Sequence, residues 1–182
     1  MYTLRFDGLF RSAHGDDNTQ AGFMCYGWLV FHNKTVIAHG HGGFAHACHA
    51  SSNAAEYLAM IEGLEAMLDM GIQKERIRVV GDARSVIQQM QGMAAVRSAG
   101  IIGLHQRALR LSAQFKRIKW LWIPRSENKD ADQLTRRALR CIRADQEQYQ
   151  VAMQAMTPGK RPSSRYMPLV DLRVYTPRAV VL

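Results

Sequence analysis

Four carboxylates stand at positions where a folded protein rarely places a charge. Asp7 lies inside an apolar, strand-like run, and Asp82 ends another such run. Glu56 and Asp132 lie near the starts of two predicted helices. If folding gathered these side chains, each close pair would repel by about 4 kcal/mol at an effective dielectric near 20. Because hard divalent cations with oxygen ligands would neutralise such a cluster, the pattern indicates metal-assisted phosphoryl chemistry.

Each of these acids also has an ordinary structural explanation. Glu56 follows Asn53 by three residues and could complete a capping box. Asp82 could be a helix N-cap, and Asp132 could complement a helix dipole. Asp7 could be a solvent-facing strand residue. Together, however, these separate explanations must account for acids at a strand interior, a strand end and two helix starts. Positions of these kinds can all converge on one edge of a parallel sheet. We therefore favour one shared site.

The composition favours a polyanionic partner over charge that serves solubility alone. The 182-residue chain has a net charge of +9 and a pI of about 9.9, despite the proposed acidic cluster. A basic body around an acidic site suits a polyanion that is held by its backbone and attacked at one phosphate. The start of the chain is unlike a secretory signal, and no apolar run reaches the roughly 18 residues of a membrane span. Three cysteines without Cys-x-x-Cys spacing predict reduced thiols and a cytoplasmic protein.

The first half of the chain predicts an antiparallel meander followed by a helix. Residues with strand character run from Tyr2 to Phe10, from Gly22 to His32 and from Val36 to about Ala45, joined by short connections. From Asn53 to Met70 the apolar residues follow helical spacing, and Gly71 closes the helix.

The second half alternates strands and helices, which predicts parallel pairing. Strands are expected at Arg76 to Gly81 and Ile118 to Ile123, and helices at Ala83 to Met90 and about Ala99 to Phe115. A long last helix is expected from Asn128 or Lys129 to Met156. The fold class is therefore α/β, a mixed sheet flanked by helices.

The composition changes after Met156. Residues 157–164 are linker-like. Residues 169–182 are expected to form an added strand, an arm packed on the body or a disordered basic tail. We predict a catalytic domain at residues 1–140, and at 141–182 the end of the last helix plus a basic extension. We expect the part beyond Met156 to contact substrate, a protein partner or a second copy in a dimer, because its only acid is Asp171 and its basic residues are Lys160, Arg161, Arg165, Arg173 and Arg178.

Four linked motifs resemble the type 1 ribonuclease H family. They are Phe6-Asp7-Gly8, the helix at 53–64, Gly81 to Ile87, and the stretch at 123–134. The likeness covers about residues 1–140, in the family's order and with normal spacing. It implies a ribonuclease H-like five-stranded mixed sheet, with strands 1–3 antiparallel and strands 4 and 5 parallel. It further implies an endonuclease that hydrolyses the RNA strand of an RNA/DNA hybrid with two Mg²⁺ or Mn²⁺ ions.

The resemblance also implies a role for each acid. The family's four metal-binding, catalytic acids carry over to Asp7, Glu56, Asp82 and Asp132. Asp7 is expected to bridge both ions because it lies on the central strand. Glu56 and Asp82 would hold the ion nearer the leaving group. Asp132 would complete the coordination of the ion that positions the attacking water.

Substrate contacts are expected near these acids. Selectivity for RNA requires contact with the 2′-hydroxyl, for which Glu56 and the backbone around Gly8 are candidates. Asn53 is expected to hold a neighbouring nucleotide or a phosphate of either strand. The chain lacks the histidine that many members carry in the loop before the last aspartate, and Arg125 is the candidate for a related role.

Two further departures from the family affect substrate binding. The compact glycine-rich turn after the first aspartate is replaced by the segment at 9–18, so contacts there are not carried over. The separate basic helix is also missing, because Gln91 to Gly103 is short and nearly uncharged. Lys116, Arg117 and Lys119, or the tail, are expected to compensate.

The sequence leaves alternative functions open. A zinc site at His39, His41, His46 and His49 with Cys48 is conceivable, although polar positions on an exposed strand face and its following loop are favoured. The protein could also be a non-catalytic module that binds hybrid or double-stranded RNA, or a related nuclease with another substrate. The presence of all four acids favours the enzyme, because a pure binder gains nothing from negative charge facing phosphates.

Overall fold

The computed structural model describes residues 1–15, 20–157 and 165–176. Within these residues the chain forms six strands and five helices. In chain order they are β1 (Tyr2–Ser12), β2 (Gly22–His32), β3 (Thr35–His46), α1 (Ser52–Asp69), β4 (Arg76–Gly81), α2 (Arg84–Met90), α3 (Ala99–Ser112), β5 (Arg117–Trp122), α4 (Lys129–Ala144), α5 (Gln146–Ala155) and β6 (Met167–Tyr175). A short 3₁₀ turn at Arg125–Glu127 precedes α4.

The strands form one mixed sheet in the order β5-β4-β1-β2-β3-β6. β1, β2 and β3 pair antiparallel, whereas β4 pairs parallel with both β1 and β5. This confirms the predicted α/β class and the ribonuclease H-like arrangement of the first five strands. The sheet has one strand more than expected, because β6 adds antiparallel to β3.

One face of the sheet is covered by α1, with α3 packed on α1. Leu4 and Phe6 of β1 are fully buried on this side and anchor the larger apolar core. Helix α1 starts where the Ser51 side chain accepts a hydrogen bond from the Ala54 amide at 3.1 Å. It ends before Gly71, whose φ of +70° is a conformation that suits glycine. The sequence signals for this helix are therefore confirmed.

The opposite face is covered by α4 mainly over β1, β2 and β3, with a smaller contact to β6. Helix α5 follows α4, and a second apolar cluster that includes Cys25 and Ile142 fills this side. The sheet leaves an open cavity of about 450 Å³ beside this cover, lined by residues from β1, β4 and β5. Helix α4 thus brings its N-terminal end to the middle of the sheet, close to β1.

The prediction of a single last helix is wrong. Helix α4 ends at Ala144, and Asp145 leaves the helical conformation at φ −84° and ψ 86°. The Asp145 carboxylate accepts a hydrogen bond from the Gln148 amide at 3.0 Å and so caps α5. An aspartate that can cap a new helix competes with continuation of the old one, which explains the break.

The extension after Met156 is partly described. Of the three alternatives for residues 169–182, the added strand is correct for the segment that ends at Tyr175, whereas residues 177–182 and most of the linker lie outside the described residues. The division into a catalytic domain at 1–140 and an extension at 141–182 stays a prediction. The cysteines at 25, 48 and 141 are free thiols, as expected. In the part of the chain that is described, no helix has the length and hydropathy needed to cross a membrane.

Candidate active site

Three of the four predicted acids meet at one end of the sheet. Asp7 lies on β1 with its side chain only 4% exposed, and Asp82 directly follows the adjacent parallel strand β4. Glu56 lies near the start of α1 and is also buried. Each of these side chains offers one oxygen, and the three oxygens lie within 4.8 Å of one another. A strand interior, a strand end and a helix start have therefore produced an acidic cluster.

Gly8 allows this close approach. A Cβ atom added at Gly8 would overlap the backbone of Ala55 and Glu56. The strand and the first turns of α1 are thus in direct backbone contact at this point. The position of Gly8 next to Asp7 is a packing requirement that holds Glu56 against the strand.

The cluster is electrostatically strained. Burial, then the nearby charges of Asp82 and Asp132, raise the pKa of Asp7 to about 7. Burial and the charge of Asp7 raise the pKa of Glu56 well above its ordinary value, and burial also raises the pKa of Asp82. Glu56 Oε2 is buried without a hydrogen-bond partner among the described residues. These carboxylates cannot all ionise easily without a positive charge nearby, and one of their oxygens has no hydrogen-bond partner among the described residues. Such a set of oxygen donors fits a hard divalent cation.

Asp132 is near this cluster but is held by arginines. Its carboxylate accepts a hydrogen bond from Arg136 Nε at 2.7 Å and one from Arg125 Nη2 at 3.1 Å. The bond from Arg136 is the largest cause that lowers the pKa of Asp132. Asp132 raises the pKa of Asp7, so the two carboxylates are electrostatically coupled. The structure therefore brings Asp132 to the site as an ion-paired carboxylate.

Two polar side chains that the sequence analysis did not assign to the site support its acids. Asn128 is fully buried, and its Nδ2 donates to the Phe6 carbonyl oxygen at 2.8 Å. The Asn128 side chain also lowers the pKa of Asp82. Thr135 Oγ1 lies 3.3 Å from Asp7 Oδ2 and 2.8 Å from the Asp132 carbonyl oxygen, and its single hydrogen can be donated to either acceptor. Helical spacing gave a signal for Thr135, because residues three apart share a helix face.

Two of the predicted substrate-binding side chains, those of Asn53 and Arg125, are exposed beside the acids. Asn53 is exposed, and its Oδ1 accepts a hydrogen bond from Ser85 Oγ at 3.3 Å. The side chain of Arg125 is 70% exposed beside Asp132. Trp122 is a further exposed residue, by 47%, whose Nε1 donates to the Asp82 carbonyl oxygen at 3.0 Å. The roles of Gly8, Asn53 and Arg125 in substrate binding stay predictions.

The histidines do not form a metal site. Among the described residues, the one group of three or more histidine, cysteine or carboxylate side chains close enough to share an ion is the acidic cluster. Burial is the main cause that lowers the pKa of both His39 and His41. His46 Nδ1 accepts hydrogen bonds from the amides of Cys48 and His49. These contacts favour structural roles over zinc binding. The expectation of an exposed strand face is wrong for His41 and His46, which are each only 2% exposed.

Comparison with known proteins identifies the family. A family model described as reverse transcriptase-like matches residues 6–138. The chain belongs to this family. The curated bifunctional protein Rv2228c of Mycobacterium tuberculosis is 31% identical over 119 residues, which cover 65% of this chain. The match spans 31% of Rv2228c, so the chain corresponds to less than a third of that relative.

Solved structures of reverse transcriptase-like relatives agree with this assignment. RNase H1 from the archaeon Halobacterium salinarum is 28% identical with a TM-score of 0.66, over 76% of this chain and 97% of that one. The N-terminal RNase H domain of Rv2228c is 29% identical with a TM-score of 0.64, over 75% and 97%. LC11-RNase H1, solved with an RNA/DNA hybrid, shares the fold at 20% identity and a TM-score of 0.65, over 76% and 96%. The resemblance to type 1 ribonuclease H is thereby confirmed.

Proposed function

We propose that this protein is a metal-dependent endonuclease that hydrolyses the RNA strand of RNA/DNA hybrids. The observation that carries the proposal is the convergence of oxygens from Asp7, Glu56 and Asp82 within 4.8 Å, in a chain of this family. Support for the substrate comes from two relatives that are named as RNase H proteins and from a third that was solved with a hybrid. The net charge of +9 supports a polyanionic substrate.

The same carboxylates are candidates to hold two Mg²⁺ or Mn²⁺ ions. We infer that Asp7, Glu56 and Asp82 contribute to this site and that Asp132 completes it. When bound, such a pair of ions activates a water on one side of a phosphate and stabilises the leaving oxygen on the other. The raised pKa values of Asp7 and Glu56 support the inference, because bound cations would favour the ionised forms.

The surrounding residues have positioning roles in this proposal. Thr135 orients Asp7 through its 3.3 Å hydrogen bond, and Asn128 fixes the adjacent backbone at Phe6. Arg125 and Arg136 pair with Asp132, so they would compete with a cation for this carboxylate. Because Arg125 is exposed, it could turn towards a substrate phosphate by giving up its pairing with Asp132.

RNA selectivity is assigned to the residues at the start of α1. We propose that Glu56 and the backbone at Gly8 contact the 2′-hydroxyl and that Asn53 holds an adjacent nucleotide. Asn53 is suited to this because it is exposed and is already oriented by Ser85. A cytoplasmic location and a dimer through the extension also stay predictions. The oligomeric state can be checked by light scattering of the full chain and of a chain that ends at Met156.

The decisive experiment is a cleavage assay with a labelled RNA strand. The purified protein should cut a hybrid with Mg²⁺ or Mn²⁺, should be inactive in EDTA, and should spare duplex DNA. Asp7→Asn should abolish cleavage while hybrid binding persists. Glu147→Gln, which removes an exposed acid on α5, is the control and should cleave normally.

Two outcomes would contradict the proposal. Unchanged turnover in Asp7→Asn would remove Asp7 from the catalytic site. Metal-independent binding without any product on hybrid, double-stranded RNA, single-stranded RNA or DNA junctions would make the protein a binding module. Cleavage of one of the other substrates in preference to hybrid would retain the metal site but replace the substrate.

A further inference from the structure

One half of the sheet carries a cationic surface, here called the basic face. It is formed by side chains of β1, β4 and β5 on the side of the sheet opposite α1. In the strand register Arg76 pairs with Arg117, and Arg78 pairs with both Thr3 and Lys119. Because neighbouring strands in register point paired side chains to one face, these residues and Arg5 share a surface. The basic face consists of Arg5, Arg76, Arg78, Arg117 and Lys119.

The basic face has acidic neighbours only near Arg5, where Glu127 lines the same cavity and Asp130 lies close, as far as the described residues show. The strand sequences of β4 and β5 contain no acidic residue, and β1 contains none before Asp7. Among the described residues, only Arg5 of this set has an acidic partner, Asp130 at 4.0 Å. Arg76, Arg117 and Lys119 are exposed. Surface cations that serve solubility are normally interspersed with acids, so this arrangement favours a specific anionic partner.

The basic face is also concave and has an apolar floor. The open cavity of about 450 Å³ is lined by Arg5, Arg78, Val80 and Leu121, and Lys34 reaches it from the β2–β3 turn. The Arg5 guanidinium lies 5.1 Å from the centre of the Phe31 ring and donates to the Glu127 carbonyl oxygen at 3.3 Å. These contacts hold Arg5 in place, which reduces the entropy lost on binding an anion.

The basic face begins beside the acidic cluster and leads away from it. Arg5 precedes Asp7 by two residues on β1, and Asp82 directly follows β4. From Arg76 to Asp82 the chain advances by six residues, which is about 20 Å at strand rise. The end of the face at Arg76 is therefore placed to contact phosphates that lie beyond the one being cleaved.

We propose that the basic face binds the phosphate backbone of the nucleic acid outside the cleavage position. This inference rests on the proposed function, because it assigns to the same substrate a second contact surface. It also refines the expectation that Lys116, Arg117 and Lys119 replace the missing basic helix. Arg117 and Lys119 lie on the face, whereas Lys116 precedes β5 and is tied by its amide to the Gln73 carbonyl oxygen at 2.9 Å.

Binding measured in EDTA tests the proposal without requiring cleavage. Two hybrids are compared by fluorescence anisotropy over a range of salt concentrations. One is centred on the cleavage position, and the other extends it by about one helical turn, roughly 34 Å, at each end. The test variant is Arg78→Gln/Lys119→Gln. The matched control is Arg110→Gln/Arg143→Gln, which removes the same charge from exposed positions on α3 and α4.

The expected result is specific to the long hybrid. The unaltered protein should bind the long hybrid more tightly than the short one, and the test variant should lose this advantage. Its slope of log affinity against log salt for the long hybrid should fall by roughly 1.8, at about 0.9 for each lost phosphate contact. The control should keep both the length advantage and the slope, and cleavage of the short hybrid should be unchanged in both variants.

Several results would overturn the proposal. A test variant that binds the long hybrid like the unaltered protein removes the basic face from nucleic-acid binding. Equal losses of affinity in the test and control variants would mean that binding depends on the overall charge of the protein and not on the basic face. Binding to phosphatidylserine vesicles that the test variant alone loses, without a length effect on hybrids, assigns the face to a membrane surface. A protein that shows the length effect but cleaves nothing would refute the proposed activity and leave the basic face in place.

Discussion

Arg173 of the last strand and Glu62 of the first helix form an ion pair across 111 residues of sequence, with Arg173 Nη2 2.7 Å from Glu62 Oε2. The Glu62 side chain is 7% exposed, and Arg173 also lies 3.3 Å from Asp69. Burial raises the pKa of Glu62, and the Arg173 charge opposes that rise. The ion pair therefore attaches the extension to the body of the protein, because its loss would leave the buried Glu62 carboxylate without a partner.

Arg173→Ala should consequently lower the free energy of unfolding. Removing one partner of a buried pair costs about 3–5 kcal/mol, and the partial exposure of Arg173 reduces the expected loss to roughly 2–3 kcal/mol. Urea denaturation measures this loss. Glu62→Gln in the same chain should recover much of it, because no unpaired charge then remains. A single variant as stable as the unaltered protein would show that the pair does not hold β6 in place.

Gly8→Ala should destabilise the protein and displace Glu56. The added methyl group would overlap the backbone of Ala55 and Glu56, which cannot move as a flexible side chain could. Overpacking of this kind costs about 2–3 kcal/mol. The matched control is Gly103→Ala on α3, where an added Cβ meets no atom within 4 Å. That variant should be neutral or more stable by up to about 1 kcal/mol, because alanine favours helices.

In EDTA, the stability of the protein should fall as the pH rises from about 4 to about 7. The pKa of Asp7 is raised from 3.8 to about 7, so in this range the folded state binds more protons than the unfolded state. The favourable contribution is fully present below pH 4 and is lost above pH 7, by up to roughly 4 kcal/mol. Asp7→Asn should flatten this dependence in urea denaturation and stabilise the metal-free protein at pH 8. An unchanged slope would show that Asp7 ionises normally.

Arg136→Gln should strengthen Mg²⁺ binding. Arg136 holds Asp132 at 2.7 Å and adds positive charge where a cation would bind, so its loss frees a ligand and removes repulsion. Mg²⁺ binding is measured as the rise in melting temperature with increasing Mg²⁺. The Mg²⁺ concentration that gives half of this rise should be several-fold lower in the variant. Arg137→Gln, an exposed neighbour on the same helix, should change this concentration little. Weaker Mg²⁺ binding in Arg136→Gln would mean that the arginine positions Asp132 for the metal.

The sequence by itself determined the order and type of the elements of the first 140 residues and the identity of the clustered acids. Those features depend on local patterns, such as alternation in β1, helical spacing in α1, and acids at a strand interior, a strand end and two helix starts. A family resemblance carried by short linked motifs added the fold and the chemistry.

Only the tertiary structure decided how the acids are held. It placed Asp132 between Arg125 and Arg136, and it brought Thr135 to Asp7 across 128 residues. It also broke the last helix at Asp145 and paired β6 with β3. Contacts such as these depend on which surfaces remain to be buried once the sheet has formed. The periodicity of residues along the chain does not show which elements will cover those surfaces.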